Sequence, residues 1–227
     1  AWGEVDAIER PSPHRIAPRC PHFGAPDVCG GCTWQHIAYP EQLRLKTDLV
    51  RRLVSATLGG RAPEVRAMLP ATAIENPWAY RHKAHFVFAT ATRRGPLVMG
   101  HYRRGSQDVF DARECPVHDP RGNAFAFALR DAYARAGVLA APVGTLRHVA
   151  TRVSGNGAES MATLVVTEAS DARLRGATRR VLDTAAAPDS FHLNVHARPD
   201  PYIFGRDTRH VRGPRHLRDH VAGAAFV

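Results

Sequence analysis

The sequence predicts an α+β fold: a largely antiparallel sheet with flanking helices, plus an N-terminal cysteine-rich cluster loop. Three observations predict it. Strand-like and helix-like stretches come in runs joined by turn signals, with no strict alternation of strand and helix, which favours antiparallel pairing over a doubly wound sheet. Three stretches carry a helical apolar period between start and stop signals. All four cysteines fall into one pattern, three of them within Cys20–Cys32 and the fourth at Cys115.

Pro40 to Leu58 reads as a helix. Proline suits its first turn, Leu45, Leu49 and Leu53 with Val50 and Val54 form an apolar stripe, and Gly59-Gly60 ends it. The simplest place for that stripe is the core. Tyr80 to Ala91 alternates like a strand, and Leu97 to Arg103 pairs with it across Arg93-Arg94-Gly95-Pro96. Asp108 to Ala112 is expected as a short third strand. Pro120 to Ala136 reads as a helix stopped by Gly137, with Phe125, Leu129 and Tyr133 on one side. Arg147–Ser154 and Ser160–Thr167 make a hairpin around Gly155-Asn156-Gly157. A helix over Ser170–Ala186 and a strand over Phe191–Val195 follow. Arginines recur at 206, 209, 212, 215 and 218, and Gly213-Pro214 breaks any helix there, so a basic loop is expected.

The cysteine pattern is C-x8-C-G-G-C, then 82 residues, then C-P. Cys20, Cys29, Cys32 and Cys115 are candidate metal ligands. Three close thiolates and one distant one can enclose either zinc or an iron–sulfur cluster, and the three-plus-one spacing with a closing Cys-Pro inclines to the [4Fe–4S] cube. Gly30 and Gly31 lack a Cβ, so their amides can approach the sulfides of such a cluster closely. A disulfide framework would need an oxidising compartment, and four cysteines are too few to staple 227 residues. Pro26 and Asp27 suit a surface turn. His22 and His36 flank the pattern as hydrogen-bonding neighbours.

The net charge of +10 and pI near 10.3 point to an anionic partner such as RNA, although arginine far exceeds lysine, as a GC-rich coding bias also produces. Arg81 and Lys83 lie on alternate positions of one strand and so share a face. Arg103 and Arg104 close the next strand, and Arg212 sits in the terminal basic stretch. These five are candidate phosphate contacts. Tyr80, Tyr102 and Trp34 can stack on unpaired bases or simply pack. No apolar run reaches the length of a membrane span, and the first residues lack a secretory signal, so a cytoplasmic protein is expected.

Several ordered motifs together resemble one family. Ser12-Pro13-His14-Arg15, Arg19-Cys20-Pro21-His22-Phe23-Gly24 and Cys29-Gly30-Gly31-Cys32-Thr33-Trp34-Gln35-His36 resemble the iron–sulfur segment of bacterial RNA (uracil-5)-methyltransferases of the 23S ribosomal type. Pro77–Ala84, Gly100–Ser106, Asp111–Pro116 and Ile203–Asp207 resemble later motifs in the expected order. The first cysteine spacing is about three residues longer than the family pattern. The resemblance implies a [4Fe–4S] cluster on the four cysteines, RNA as partner with ribosomal RNA expected, and Arg81 as the foremost RNA contact.

The resemblance also implies chemistry that this sequence does not display. The family binds S-adenosylmethionine on a glycine-rich turn and attacks uracil C6 with a cysteine. No strand here is followed by such a turn, and no cysteine is spare. The chain is therefore expected to be the iron–sulfur and central portion, lacking the C-terminal methyltransferase domain. Catalytic residues are expected to be none, with S-adenosylmethionine entering only through the missing domain. The expected organisation is 1–19 as the remnant of an OB-like (TRAM) domain, 20–39 as the cluster loop, 40–60 as a helix facing the catalytic domain, 61–212 as the central RNA-recognition domain, and 213–227 as a truncated lead-in. Two other classes stay open: a stand-alone zinc- or cluster-stabilised RNA-binding module, and a redox-sensing interaction protein. Oligomeric state is not legible.

Overall fold

A six-stranded sheet in the order β2-β1-β3-β4-β5-β6 organises the protein. The structure is a computed structural model that describes residues 7–71, 77–90, 95–155, 158–221 and 223–227. Its strands are β1 (Lys83–Ala89), β2 (Val98–Gly100), β3 (Leu146–Val153), β4 (Ser160–Val166), β5 (Ser190–Val195) and β6 (Asp207–Arg212). All neighbours pair antiparallel except β4 and β5, which are parallel and joined by the helix α3 (Ala172–Leu182). The antiparallel sheet and flanking helices expected from the sequence are present. The small hairpin of β7 (Asp219–Val221) and β8 (Ala224–Phe226) stands apart from the sheet.

Alternation sorts the side chains onto two faces. Register places Phe86 beside Val149, Val149 beside Leu164 and Leu164 beside Leu193, a continuous apolar row across four strands. That row is covered by α2 (Pro120–Arg135) and α3, which contribute Phe125, Leu129, Tyr133, Leu174 and Val181 to one core. Both helices start at an aspartate cap. Asp119 accepts from the Arg121 N–H, and Asp171 accepts from the N–H groups of Arg173 and Leu174. Gly137, at φ 64°, supplies the left-handed residue that ends α2. Within the core the Thr178 hydroxyl donates to Leu174 O, so the buried Tyr133 hydroxyl donates to Thr178 Oγ1, at 2.7 Å.

The opposite face carries a different row. His85, Ala150, Thr163, His192 and His210 lie side by side, followed by Val87, His148, Val165, Asn194 and Thr208. No helix covers it among the described residues. Asn194, fully buried, instead anchors the chain at Gly205: its Nδ2 donates to Gly205 O and its Oδ1 accepts from Gly205 N–H.

Several sequence expectations change. Residues 108–112 do not form a strand. Val109 makes one bridge to Tyr102, and Phe110 and Ala112 donate to His101 O and Met99 O. This close approach needs Gly100, because a Cβ there would stand 1.9 Å from Phe110 O. The basic stretch after 206 is not a loop throughout: Asp207–Arg212 forms β6 on the edge of the sheet. In α1 (Tyr39–Leu58) the apolar stripe is not core. Leu49, Val50 and Leu53 are exposed, and Thr47 is the buried residue of the helix. Arg93-Arg94, Asn156-Gly157 and the first six residues of the expected domain remnant 1–19 lie outside the described residues.

Candidate functional site

The open face of the sheet ends in a cavity of about 970 Å³. The segment 20–32 forms one wall, 101–107 the rim, and 115–118 the floor, with His85 and His148 reaching in from the sheet. All four cysteines line it.

Backbone pairing holds the cysteine segment against the rim. Cys29 bridges Arg103, Gly30 N–H donates to Tyr102 O, and Arg104 N–H donates to Val28 O. A Cβ on Gly30 would come within 3.2 Å of Tyr102 O, so a small residue suits that approach. Gly31 N–H donates to Cys29 Sγ at 3.3 Å. Cys20 N–H donates to the buried Gln35 Oε1. His22 is a second anchor. Its Nε2 accepts from Arg113 N–H, so its Nδ1 carries the proton that faces Asp27 Oδ2 at 2.6 Å. Asp27 also lies 3.8 Å from Arg103. Asp27 is therefore a fastening point and not a bare surface turn.

Cys115 arrives from the other side. Residues 116–119 run alongside 79–81: Ala79 and Arg81 N–H groups donate to Pro116 O and Val117 O, and Asp119 N–H donates to Arg81 O. His118 N–H donates back to Cys115 O, closing a tight turn, and Asn123 Nδ2 donates to the same carbonyl.

Burial governs the electrostatics. It pushes the Cys115 thiol up to about 12, with the neighbouring Cys20 and Cys32 raising it further. Burial raises Cys20 and Cys29 as well, and Arg81 and Arg104 partly offset this at Cys29. Thiols that raise one another in this way stay protonated unless a cation compensates. The histidines are held neutral. Burial lowers His118 to about 3, aided by His101 and Arg81, and lowers His101 and His148 to about 4.

The structure brings together Arg81, Arg103 and Arg104 at the cavity. Each also fastens the cysteine segment: Arg81 donates to Gly31 O, Arg104 to Cys32 O, and Arg103 to Pro26 O and Asp27 O. Lys83 is exposed at the start of β1, outside the cavity. Arg212 lies at the end of β6, where it donates to Leu182 O and approaches Asp183 at 3.6 Å. Tyr102 lines the cavity and is 43% exposed, whereas Trp34 sits under the Lys46 ammonium. Sequence reasoning missed His85, His101, His118 and His148. Their signal was available: His85 alternates with Lys83, and His118 follows Cys115 by three residues.

No protein-family model matches the chain. An uncharacterized RNA methyltransferase of Thermosynechococcus vestitus is 31% identical over 228 residues, covering 100% of this chain and 49% of that protein. A 23S rRNA (uracil(1939)-C(5))-methyltransferase of Alkalilimnicola ehrlichii is 39% identical over 121 residues, covering 53% of this chain and 26% of that one. The fold is similar to that of the Pyrococcus abyssi tRNA (uracil-54, C5)-methyltransferase, solved in complex with S-adenosyl-L-homocysteine, with a TM-score of 0.65 and 18% identity over 97% of this chain and 47% of that one. The chain spans about half the length of the curated relatives it matches. No helix among the described residues is long and apolar enough to cross a membrane.

These matches correct the central sequence expectation. The chain is not set apart from an RNA methyltransferase as an iron–sulfur recognition portion. Relatives named as RNA methyltransferases align along all of it, and the fold likeness to an RNA methyltransferase runs over nearly all of it. The division into a recognition portion and a missing methyltransferase is withdrawn. The [4Fe–4S] assignment is withdrawn with it, since no relative or fold neighbour reported above is described as an iron–sulfur protein. Among the described residues, the ligand atoms of His101, Cys115 and His118 lie within 4.8 Å of one another.

Proposed function

We propose that this chain works as part of an RNA methyltransferase and that its basic cavity rim contacts the RNA. The observation that carries this reading is the alignment of RNA methyltransferases along the entire chain. The net charge of +10 and the arginines at the rim support it. Arg81, Arg103 and Arg104 are the phosphate contacts in this reading, and Tyr102 is placed to stack on an unpaired base. Lys83 and Arg212 add charge at a distance from the cavity. The relative from Alkalilimnicola supports ribosomal RNA as the substrate and uracil C5 as the position modified.

S-adenosylmethionine is the methyl donor this reading implies for the whole protein, and it supplies the activated methyl group. One parallel strand hands on to a helix here, from β4 to α3 through Thr167-Glu168-Ala169-Ser170-Asp171. A nucleotide cradle of the glycine-rich kind needs glycines at such a turn, and this one has none. The turn does not fit the donor, and no step is derived through it. Cys20, Cys29, Cys32 and Cys115 are proposed as thiolate ligands of a metal, supported by the cavity they share.

The test is a binding titration with ribosomal RNA fragments containing unpaired uridines, at two salt concentrations. Binding that weakens as salt rises, and weakens further in Arg81→Ala and Arg104→Ala, is expected. Absence of binding at low salt would overturn the assignment of the rim.

A further inference from the structure

The open face carries a second basic recess, at the end of β3 away from the cysteines. It measures about 370 Å³ and lies between the sheet and the chain that leads into β7. The sheet contributes Arg152, Thr163, His192 and Thr208, and the chain before β7 contributes Arg215 and His216. Register explains the grouping. His148, Ala150 and Arg152 alternate onto one face, so Arg152 stands four positions, about 13 Å, from the histidine that reaches the first cavity. Lys83 is the β1 partner of Arg152 and shares its face. Two hydrogen bonds fasten the far wall: Arg218 N–H donates to Glu159 Oε2 and Gly155 N–H donates to Asp219 Oδ1, each at 2.7 Å.

The cations here have uncommitted heads. At the first cavity Arg81, Arg103 and Arg104 each donate to a backbone carbonyl of the cysteine segment. Among the described residues, the side chains of Lys83, Arg152 and Arg215 make no hydrogen bond and no ion pair. The acid on the wall, Asp219, is spent on backbone: its Oδ1 also accepts from His220 N–H at 2.9 Å. The Gly155 N–H foremost, then the His220 N–H and Arg152, holds its carboxyl below the usual range. Burial, followed by His210, His216 and Arg215, holds His192 below the usual histidine range. Thr208 Oγ1 accepts from Asn194 Nδ2 at 2.6 Å, which leaves its hydroxyl proton to donate. Uncompensated guanidinium charge beside a free hydroxyl donor suits an oxyanion.

We propose that, with RNA as the partner at the cavity rim, this recess is a second phosphate site that grips the same strand. Arg152 and Arg215 contact the phosphate oxygens, Thr208 donates to one of them, and Lys83 adds charge from the neighbouring strand. An RNA strand carries a charge at every nucleotide, so one that crosses about 13 Å of sheet brings more than one phosphate to it. Phosphate contacts position a strand without reading its bases, so the recess fixes the register in which a nucleotide meets the first cavity.

The experiment titrates the full chain with a single-stranded, uridine-containing ribosomal RNA fragment at a series of salt concentrations. The variant carrying Arg152→Gln and Arg215→Gln together is expected to bind more weakly. Its plot of log affinity against log salt is expected to be shallower than that of the unaltered chain by about 1.4, since each single-strand phosphate contact contributes about 0.7. A control carrying Arg179→Gln and Arg180→Gln removes the same charge from α3, on the covered side of the sheet, and is expected to keep the original slope. An unchanged slope in the first variant, or an equal change in both, would overturn the second site while binding by the unaltered chain leaves the RNA reading in place. No binding by the unaltered chain at low salt would overturn both. Should circular dichroism show that the first variant does not fold, Arg152→Gln alone decides: a slope shallower by about 0.7 supports the site, and an unchanged slope overturns it.

Discussion

The two faces of the sheet are built from the same strands and have opposite contents. On one face Phe86, Val149 and Leu164 meet α2 and α3 and are sealed from solvent. On the other, one residue along each strand, His85, His148 and Asn194 face a cavity or the chain that walls it. The covered face is apolar and fully packed. The open face contains neutral histidines, thiols and a rim of arginines, several of which hold the wall in place through backbone carbonyls. Stability is concentrated on one side of a single β-sheet and chemistry on the other, so substitutions one residue apart should have effects of different kinds.

Leu164→Ala tests the covered face and should have the largest effect. Leu164 is wholly buried, and truncation removes its transfer energy and leaves a cavity, a loss of about 2–5 kcal/mol. Urea unfolding measures it. RNA binding below the melting transition should be unchanged, and a loss of binding comparable to the loss of stability would erase the distinction between the faces.

Acid tests the open face. Burial, followed by Arg147 and His85, holds His148 down at about 4, against about 6.5 in an unfolded chain. Between those values the unfolded state binds more protons, so stability falls as pH drops from about 6.5 towards 4 and levels off below. Urea midpoints at neutral pH, at pH 5.5 and at pH 4 should show this decline, and His148→Gln should make it shallower, His101 and His118 carrying the remainder. An unchanged slope in the variant would mean that His148 is not the group being titrated.

Arg104→Ala sharpens the division within the open face. Its side chain donates to Cys32 O and lines the cavity, so its loss is expected to weaken RNA binding by about tenfold, some 1.4 kcal/mol, with a smaller effect on unfolding. Arg212→Ala, with its partners at Leu182 and Asp183 away from the cavity, should weaken RNA binding less. Equal losses would reduce the rim to general electrostatics.

Tyr133→Phe is the smallest test and returns to the covered face. It removes one buried hydroxyl that donates to Thr178, at a cost of about 1 kcal/mol, with no change in RNA or metal binding.

The sequence by itself determined the antiparallel sheet, its helices and the order of its main elements. Alternation at 83–89, prolines at the first turn of α1 and α2, and Gly137 after α2 act over a few residues, and local sterics and burial suffice to read them. Local signals could not decide what meets across long separations. The stripe on α1 is amphipathic whether or not a partner covers it, and here Leu49, Val50 and Leu53 remain exposed. The arginines after 206 read as a loop because the edge of β5 that recruits them into β6 belongs to tertiary structure. Cys115 could be linked to the other cysteines by counting alone. Only the fold shows it beside His101 and His118, because register and the turn after Cys115, not spacing, bring two buried imidazoles to one sulfur.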